Sequence, residues 1–314
     1  MKLLRLFTLF FLPIYFISCN SDDDDNISQI QPSTSLIQME GEGGSIEVSF
    51  TSGDWRITGV TNTNGDVGIS GDRYSVDDEL TRENYKLSLE GLGRMEAFGG
   101  SKGFVITRNT PTSLNIELKE NSSGVDFNFT IDLQSGDESK KIIVEQKKSQ
   151  GYNFKSIEYA LKENDGDSLF IRNGAGYKFS IPSPQEFSFS PFNGIEINRK
   201  TYFKSNEKDA FVWLKNDSVR VKVPSSIDNA NIYITEQKEV YTNLTTKFDH
   251  GFEQTETVTI PSGQSEFYTQ IQFHKRTVSY TLYLTNKRTG EEKTIEGKWV
   301  EIAPTGKYDI KWKN

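Results

Sequence analysis

Along most of the chain, apolar and polar residues alternate one by one. In Gly43–Phe50, Ile46, Val48 and Phe50 fall on one side, with Glu47 and Ser49 on the other. Tyr85, Leu87 and Leu89 repeat the pattern, as do Leu114, Ile116 and Leu118. The longest run sets Val125, Phe127, Phe129, Ile131 and Leu133 against Asp126, Asn128, Thr130 and Asp132. A period of two is the mark of a strand with one buried and one wet face, as in antiparallel sheets. Further on, Val219, Val221 and Val223 share a face, as do Phe267, Thr269, Ile271 and Phe273. So do Tyr280, Leu282 and Leu284, and then Tyr308, Ile310 and Trp312. Turn clusters such as Ser52-Gly53-Asp54 and Ser135-Gly136-Asp137-Glu138 separate the runs. The segment NKRTGEEK after Leu284 predicts a hairpin. No stretch carries a helical period with a cap. The pattern predicts an all-β protein of short strands in β-sandwiches.

The first eighteen residues follow a different rule. Lys2 and Arg5 precede an apolar run from Leu6 to Ile17, and Ser18 stands before Cys19. This is the layout of a secretory signal peptide, too short and too Pro-interrupted for a membrane span. Phe16-Ile17-Ser18-Cys19 resembles a bacterial lipobox. The resemblance implies cleavage before Cys19 and acylation of its sulfur and new amino group. Several acyl chains give stable anchoring where one gives only marginal binding. Cys19 is the single cysteine, so no internal disulfide is open to it. Ser21, Asp22, Asp23, Asp24 and Asp25 then resemble the acidic tract after the lipidated cysteine of Bacteroidota lipoproteins, which marks export to the cell surface. Like charges also keep such a stretch extended, so 19–33 is expected to be a disordered tether.

GGSIEVSFTSGDWRITGV and FNFTIDLQSGDESKKIIVEQKKS resemble the opening and closing strands of a BACON-like domain, an immunoglobulin-like sandwich of Bacteroidota. Gly43-Gly44, Trp55 and the Ile142-x-Val144-x-Gln146 ending occupy the family's characteristic places. Val67-Gly68-Ile69-Ser70 departs from its second Trp segment. The resemblance covers 34–149 and implies location and architecture more than ligand. Residues 152–314 resemble no family. A second immunoglobulin-like sandwich is the expectation there, with a single jelly roll as the alternative.

Composition narrows the function. The formal charge is −8, and loss of Lys2 and Arg5 with the leader takes it to −10. That balance opposes nucleic acid phosphates. The two histidines, His250 and His274, lie apart, with no second ligand near either for zinc. No nucleophile elbow, P-loop or dinucleotide fingerprint occurs. Asp77-Asp78-Glu79 and Asp165/Asp167 are nominal carboxylate pairs for glycoside cleavage, and Asn164–Ser168 is short of oxygen ligands for calcium. The chain is therefore expected to be no enzyme and to need no cofactor or metal.

Aromatics make up 12% of the chain. Phe187, Phe189 and Phe192 ride on a stretch broken by Pro182, Pro184 and Pro191. Exposed, they would form a ligand platform; inward, they are core. Trp213 reads as core, and Trp299 and Trp312 as core or rim. Asp167-Ser168-Leu169 and Asp217-Ser218-Val219 match the Bacteroidota O-glycosylation pattern, making Ser168 and Ser218 candidate acceptors. The expectation is a non-catalytic lipoprotein held on the outer membrane by its acyl chains. It would bind a glycan or an outer-membrane protein partner through its distal domain. The alternative is a structural or adhesive part of a surface assembly.

Overall fold

The computed structural model describes residues 30–62, 67–207, 209–214, 219–249 and 251–313. Cys19, Ser21 and Asp22 to Asp25 lie outside the described residues, as do Ser218 and His250. Every regular element among the described residues is a strand, and none is a helix able to cross a membrane.

The N-terminal body holds β1 (Leu36–Met39), β2 (Gly44–Ser49), β3 (Arg56–Asn62), β4 (Ser70–Tyr74) and β5 (Leu80–Lys86). It continues with β6 (Gly93–Gly99), β7 (Lys102–Thr110), β8 (Ser113–Leu118), β9 (Phe127–Ser135) and β10 (Glu138–Gln146). They form two sheets, ordered β1-β10-β9-β3 and β2-β8-β7-β6-β4-β5. The alternation seen in the sequence turns one face of each sheet inward, and both faces contribute to a single core. Phe129 of the first sheet, fully buried, stacks 4.4 Å from Phe104 of the second. The body is thus a β-sandwich.

Two positions depart from strict alternation. Asn84 adopts a φ of +45°, which breaks the pleat, so Tyr85 points out while Leu87 and Leu89 point in. Val125 follows Gly124 in a turn ahead of β9 and is exposed; its carbonyl accepts from the Asn121 side chain. The positions that carry the family resemblance each have a local reason. At Gly43 φ is +85°, and a Cβ would sit 2.3 Å from the Leu118 carbonyl oxygen. Trp55 stacks on Phe50 at 4.2 Å and lies under the Arg108 guanidinium at 3.6 Å. Gln146 is fully buried, and its Nε2 donates to the Lys119 carbonyl at 2.8 Å.

The C-terminal body holds β11 (Tyr152–Ala160), β12 (Gly166–Ile181), β13 (Gln185–Phe189), β14 (Arg199–Lys204) and β15 (Arg220–Asp228). It continues with β16 (Asn231–Val240), β17 (Thr246–Phe248), β18 (Glu256–Ile260), β19 (Gly263–Asn286) and β20 (Glu292–Lys313). The apolar runs at 267–273 and 280–284 are parts of one strand, because His274–Thr277 between them contains no turn residue. β19 and β20, of 24 and 22 residues, form a long hairpin that frames the body. β11 pairs with one half of β19 and β12 with the other, end to end. β14 and then β17 extend the sheet beside β20.

The buried face changes along this hairpin. Near its turn, Val278, Tyr280, Leu282 and Leu284 of β19 join Ile295 and Trp299 of β20 in a core covered by the β15–β16 ribbon. In the far half, Phe267, Ile271 and Phe273 point the other way. They meet the β13–β18 ribbon and the loop bearing Phe192. Phe273 and Val278 are an odd number of positions apart, and strict alternation sends them to opposite faces. Each half is a small sandwich, and the two share strands but not a face.

The ends are well separated. Ile30 donates its amide to Glu138 Oε2 at 3.2 Å, at the start of β10, while the chain leaves this body past Gln146 at the strand's other end. The hairpin turn abuts the N-terminal body through Arg288–Glu42 and Lys293–Glu120 ion pairs. From there the 24 residues of β19 run roughly 80 Å at about 3.3 Å each.

Candidate functional site

The phenylalanine platform is corrected to core. Phe189 and Phe192 are 6% and 4% exposed, and Phe187 is half-buried. Pairing of β13 with β18 fixes Phe187 and Phe189 on one face. That face meets Tyr177, Phe179 and Phe267, with Phe187 4.9 Å from Phe179. Phe192 stacks on Phe252 at 5.0 Å. Trp299 is fully buried and Trp213 packs edge-on to Tyr152, whereas Trp312 remains 41% exposed.

Asp78 of the first carboxylate cluster and both aspartates of the second are engaged by cations. Asp78 accepts from Arg94 Nη2 at 2.6 Å in the turn between β4 and β5. Asp165 and Asp167 diverge to opposite sides of the sheet. Asp165 accepts from Lys298 Nζ at 2.8 Å and from the Ser279 amide at 2.9 Å. Asp167 accepts from Arg276 at 2.8 and 3.0 Å, and lies 3.1 Å from His274 Nε2. Burial pushes both carboxyls up. Lys298 and Ser279 for Asp165, and Arg276 and His274 for Asp167, outweigh it and hold both below the usual carboxylate range. A general acid needs the opposite shift. Among the described residues no group of three or more His, Cys, Asp or Glu side chains could hold a metal ion. Ser168 is exposed on β12, with its hydroxyl 3.4 Å from the Lys275 carbonyl.

A buried charge network stands where the sheet changes its buried face. Arg276 bonds Asp167, the Ser225 carbonyl at 2.5 Å and Glu301 Oε1 at 3.3 Å. Glu301 also accepts from Arg199 Nε, and Arg199 Nη2 reaches Glu239 at 2.8 Å. Trp299 Nε1 donates to Glu239 at 3.4 Å. The sequence carried a signal for this: Arg276 and Glu301 stand in phase with Val278 and Trp299, at positions where apolar residues are expected. Its partners Asp167, Arg199 and Glu239 come from strands far apart in the chain and carry no such signal.

Opposite the far-half core, the sheet of β12, β19 and β20 presents an open face. Register places Leu169 beside His274, Ile171 beside Gln272, and Asn173 beside Gln270. All lie on the side away from Phe170 and Phe273. Leu169 and Ile171 are 62% and 51% exposed. Gln270 Nε2 donates to Asn173 Oδ1 at 3.3 Å, and Thr305 Oγ1 donates to Gln272 Oε1 at 3.0 Å. Charges flank these residues: Lys178, Glu266 and Lys313 at the tip, Lys311 and Asp309 on β20 directly across from Tyr268 and Gln270, and Asp167 with Arg276 inward. A groove of about 480 Å³ at the near end, lined by Lys204, Glu207, Glu296 and Lys298, is by contrast charged, with Glu296 paired to Lys162 and Lys298 to Asp165.

No family model matches the chain, and no curated protein does. Solved structures similar to it include a protein from Bacteroides thetaiotaomicron, at 15% identity over 41% of this chain and 96% of that one, with a TM-score of 0.28. Others are the parasporin-2 toxin of Bacillus thuringiensis (9%, 60% and 75%, TM-score 0.32) and a complex of the immunoglobulin domains of Dpr11 and DIP-gamma (5%, 85% and 96%, TM-score 0.24). At such TM-scores the likeness carries no further argument, and the all-β sandwich architecture rests on the strands described above.

Proposed function

We propose that the protein is a non-catalytic, lipid-anchored module of the bacterial cell surface that holds a binding end away from the membrane. Its ligand is a glycan or a surface protein, and its N-terminal sandwich, BACON-like at Gly43-Gly44, Trp55 and Gln146, is the spacer. The anchor rests on the sequence: a basic start, an apolar run, Ser18-Cys19 and the aspartates after it. The observation that carries the module reading is the end-to-end arrangement. The chain enters at one end of β10, leaves at the other, and continues into a hairpin whose far end lies roughly 80 Å further on. That length suits a surface presented at the far end.

Mass spectrometry of the native N-terminus tests the anchor. An acylated peptide beginning at Cys19, lost in Cys19→Ala together with membrane retention, is the expected result. An unmodified peptide beginning elsewhere would remove the placement. The alternative, a structural or adhesive component, draws on β12, which pairs only with β19 among the described strands. Its outer edge could accept a strand from a neighbour. Crosslinking that captures an outer-membrane protein along 166–173 would favour it.

A further inference from the structure

We propose that the open face of β12, β19 and β20 binds an uncharged polysaccharide chain laid along the strands. The inference rests on the binding-module reading and names both the place and the ligand chemistry.

The amides there are already oriented. Gln270 spends its Nε2 on Asn173 Oδ1, and Gln272 spends its Oε1 on Thr305. What remains is an acceptor, Gln270 Oε1, and two donors, Asn173 Nδ2 and Gln272 Nε2. None of these three atoms has a protein partner among the described residues. A sugar hydroxyl both donates and accepts, so neighbouring hydroxyls satisfy such a row. A carboxylate or sulfate only accepts and would strand the Gln270 oxygen, and an ammonium would strand the donors.

Charge leads to the same ligand. A quarter of the chain is charged, yet Leu169, Ile171, Asn173, Tyr268, Gln270 and Gln272 form a neutral strip. The cations nearest it are taken: Arg276 by Asp167, Lys311 by Asp309 and Lys313 by Glu266. Successive residues on one face of a strand lie about 6.6–6.8 Å apart, so Gln270 and Gln272 make a row, not a pocket. A row suits the side of a polymer. Ile171 and Leu169, beside it, offer apolar surface to the C–H faces of the rings. A second copy of the chain fits less well, since stable pairing needs about 800 Å² per partner with an apolar centre, and here the centre is amide.

The test uses the full chain against immobilised neutral polysaccharides (β-mannan, xyloglucan, mixed-linkage β-glucan, amylopectin) and anionic ones (polygalacturonate, heparin), with calorimetry on any that bind. We expect a neutral chain to bind, and Q270A/Q272A and N173A each to weaken it about tenfold or more without moving the melting temperature. K204A, at the near groove, should leave affinity unchanged. Binding that survives Q270A/Q272A would overturn the site while sparing the module reading. Binding to anionic chains alone would overturn the ligand class. Silence on every polysaccharide, with self-association by sedimentation that I171A abolishes, would make the face a contact between copies. Silence in both assays would overturn the site and the glycan reading together.

Discussion

Replacing Arg276 with methionine should cost the C-terminal body about 3 kcal/mol. The side chain is only 9% exposed and serves three acceptors: Asp167 through two bonds, the Ser225 carbonyl and Glu301. Removing one partner of a buried ion pair costs about 3–5 kcal/mol. The low end applies, because Glu301 keeps Arg199, while Asp167 keeps His274 and is partly wetted. The double variant R276M/E301L should recover about 1–2 kcal/mol of that loss, since it replaces a buried carboxylate that has lost one of its two cations with an apolar side chain, while Arg199 retains Glu239 at 2.8 Å. Urea unfolding of the full chain, with hydrogen exchange on the peptide spanning 274–280, separates this body from the N-terminal one. A surface pair fades as salt rises from 0.1 to 1 M and the Debye length falls from about 10 to about 3 Å; this one should not. A cost for R276M under about 1 kcal/mol, or a double variant no better than the single, would refute the reasoning.

Three further outcomes follow from the packing and the charges. Phe129→Ala empties a site between Phe104 and Phe127 in the N-terminal core and should cost about 3–5 kcal/mol in chemical denaturation; a loss under 1 would mean the two sheets collapse around the gap. Gly297→Ala places a Cβ 2.5 Å from Tyr280 Oη and 2.3 Å from the Lys204 carbonyl oxygen, so the melting temperature should fall by several degrees, the effect of an overpacking cost of about 1–3 kcal/mol. Hydrogen bonds from Lys200 and then Lys247 hold the exposed Glu196 carboxyl at about 2. Its folded pKa lies below the unfolded value, so its stabilising effect is present above about pH 4.5 and is lost as pH falls toward 2. A carboxyl NMR titration should show this midpoint, and K247A should move it back toward 4.5.

Strand faces were legible wherever neighbouring residues alone decide them, as at Leu114, Ile116 and Leu118. Tyr85 was misplaced because one left-handed residue, Asn84, resets the pleat, and nothing in the apolar pattern records it. The change of buried face along β19 was present in the odd spacing of Phe273 and Val278. In the sequence the two runs look like separate short strands, which hides it. The phenylalanines of β13 share a face by alternation, but whether that face is wet depends on β18, far along the chain. The amide row was beyond reach. Asn173 meets Gln270 only through the register that runs unbroken from Gly166 opposite Thr277, and no local signal carries a register.

The order of closure along the chain follows from where the long hairpin lies. Every strand of the first sandwich has been delivered by Gln146, so that body can fold while later residues are still emerging. In the second body both cores draw on β20, Trp299 in one and Ile310 in the other, and among the described strands β11 and β12 pair only with β19. Local pairs such as the β15–β16 ribbon can form early, but neither core of this body closes before the last strand arrives. Until then the unpaired strand edges of this half are open to mispairing, so it is the part of the chain most exposed to aggregation during folding.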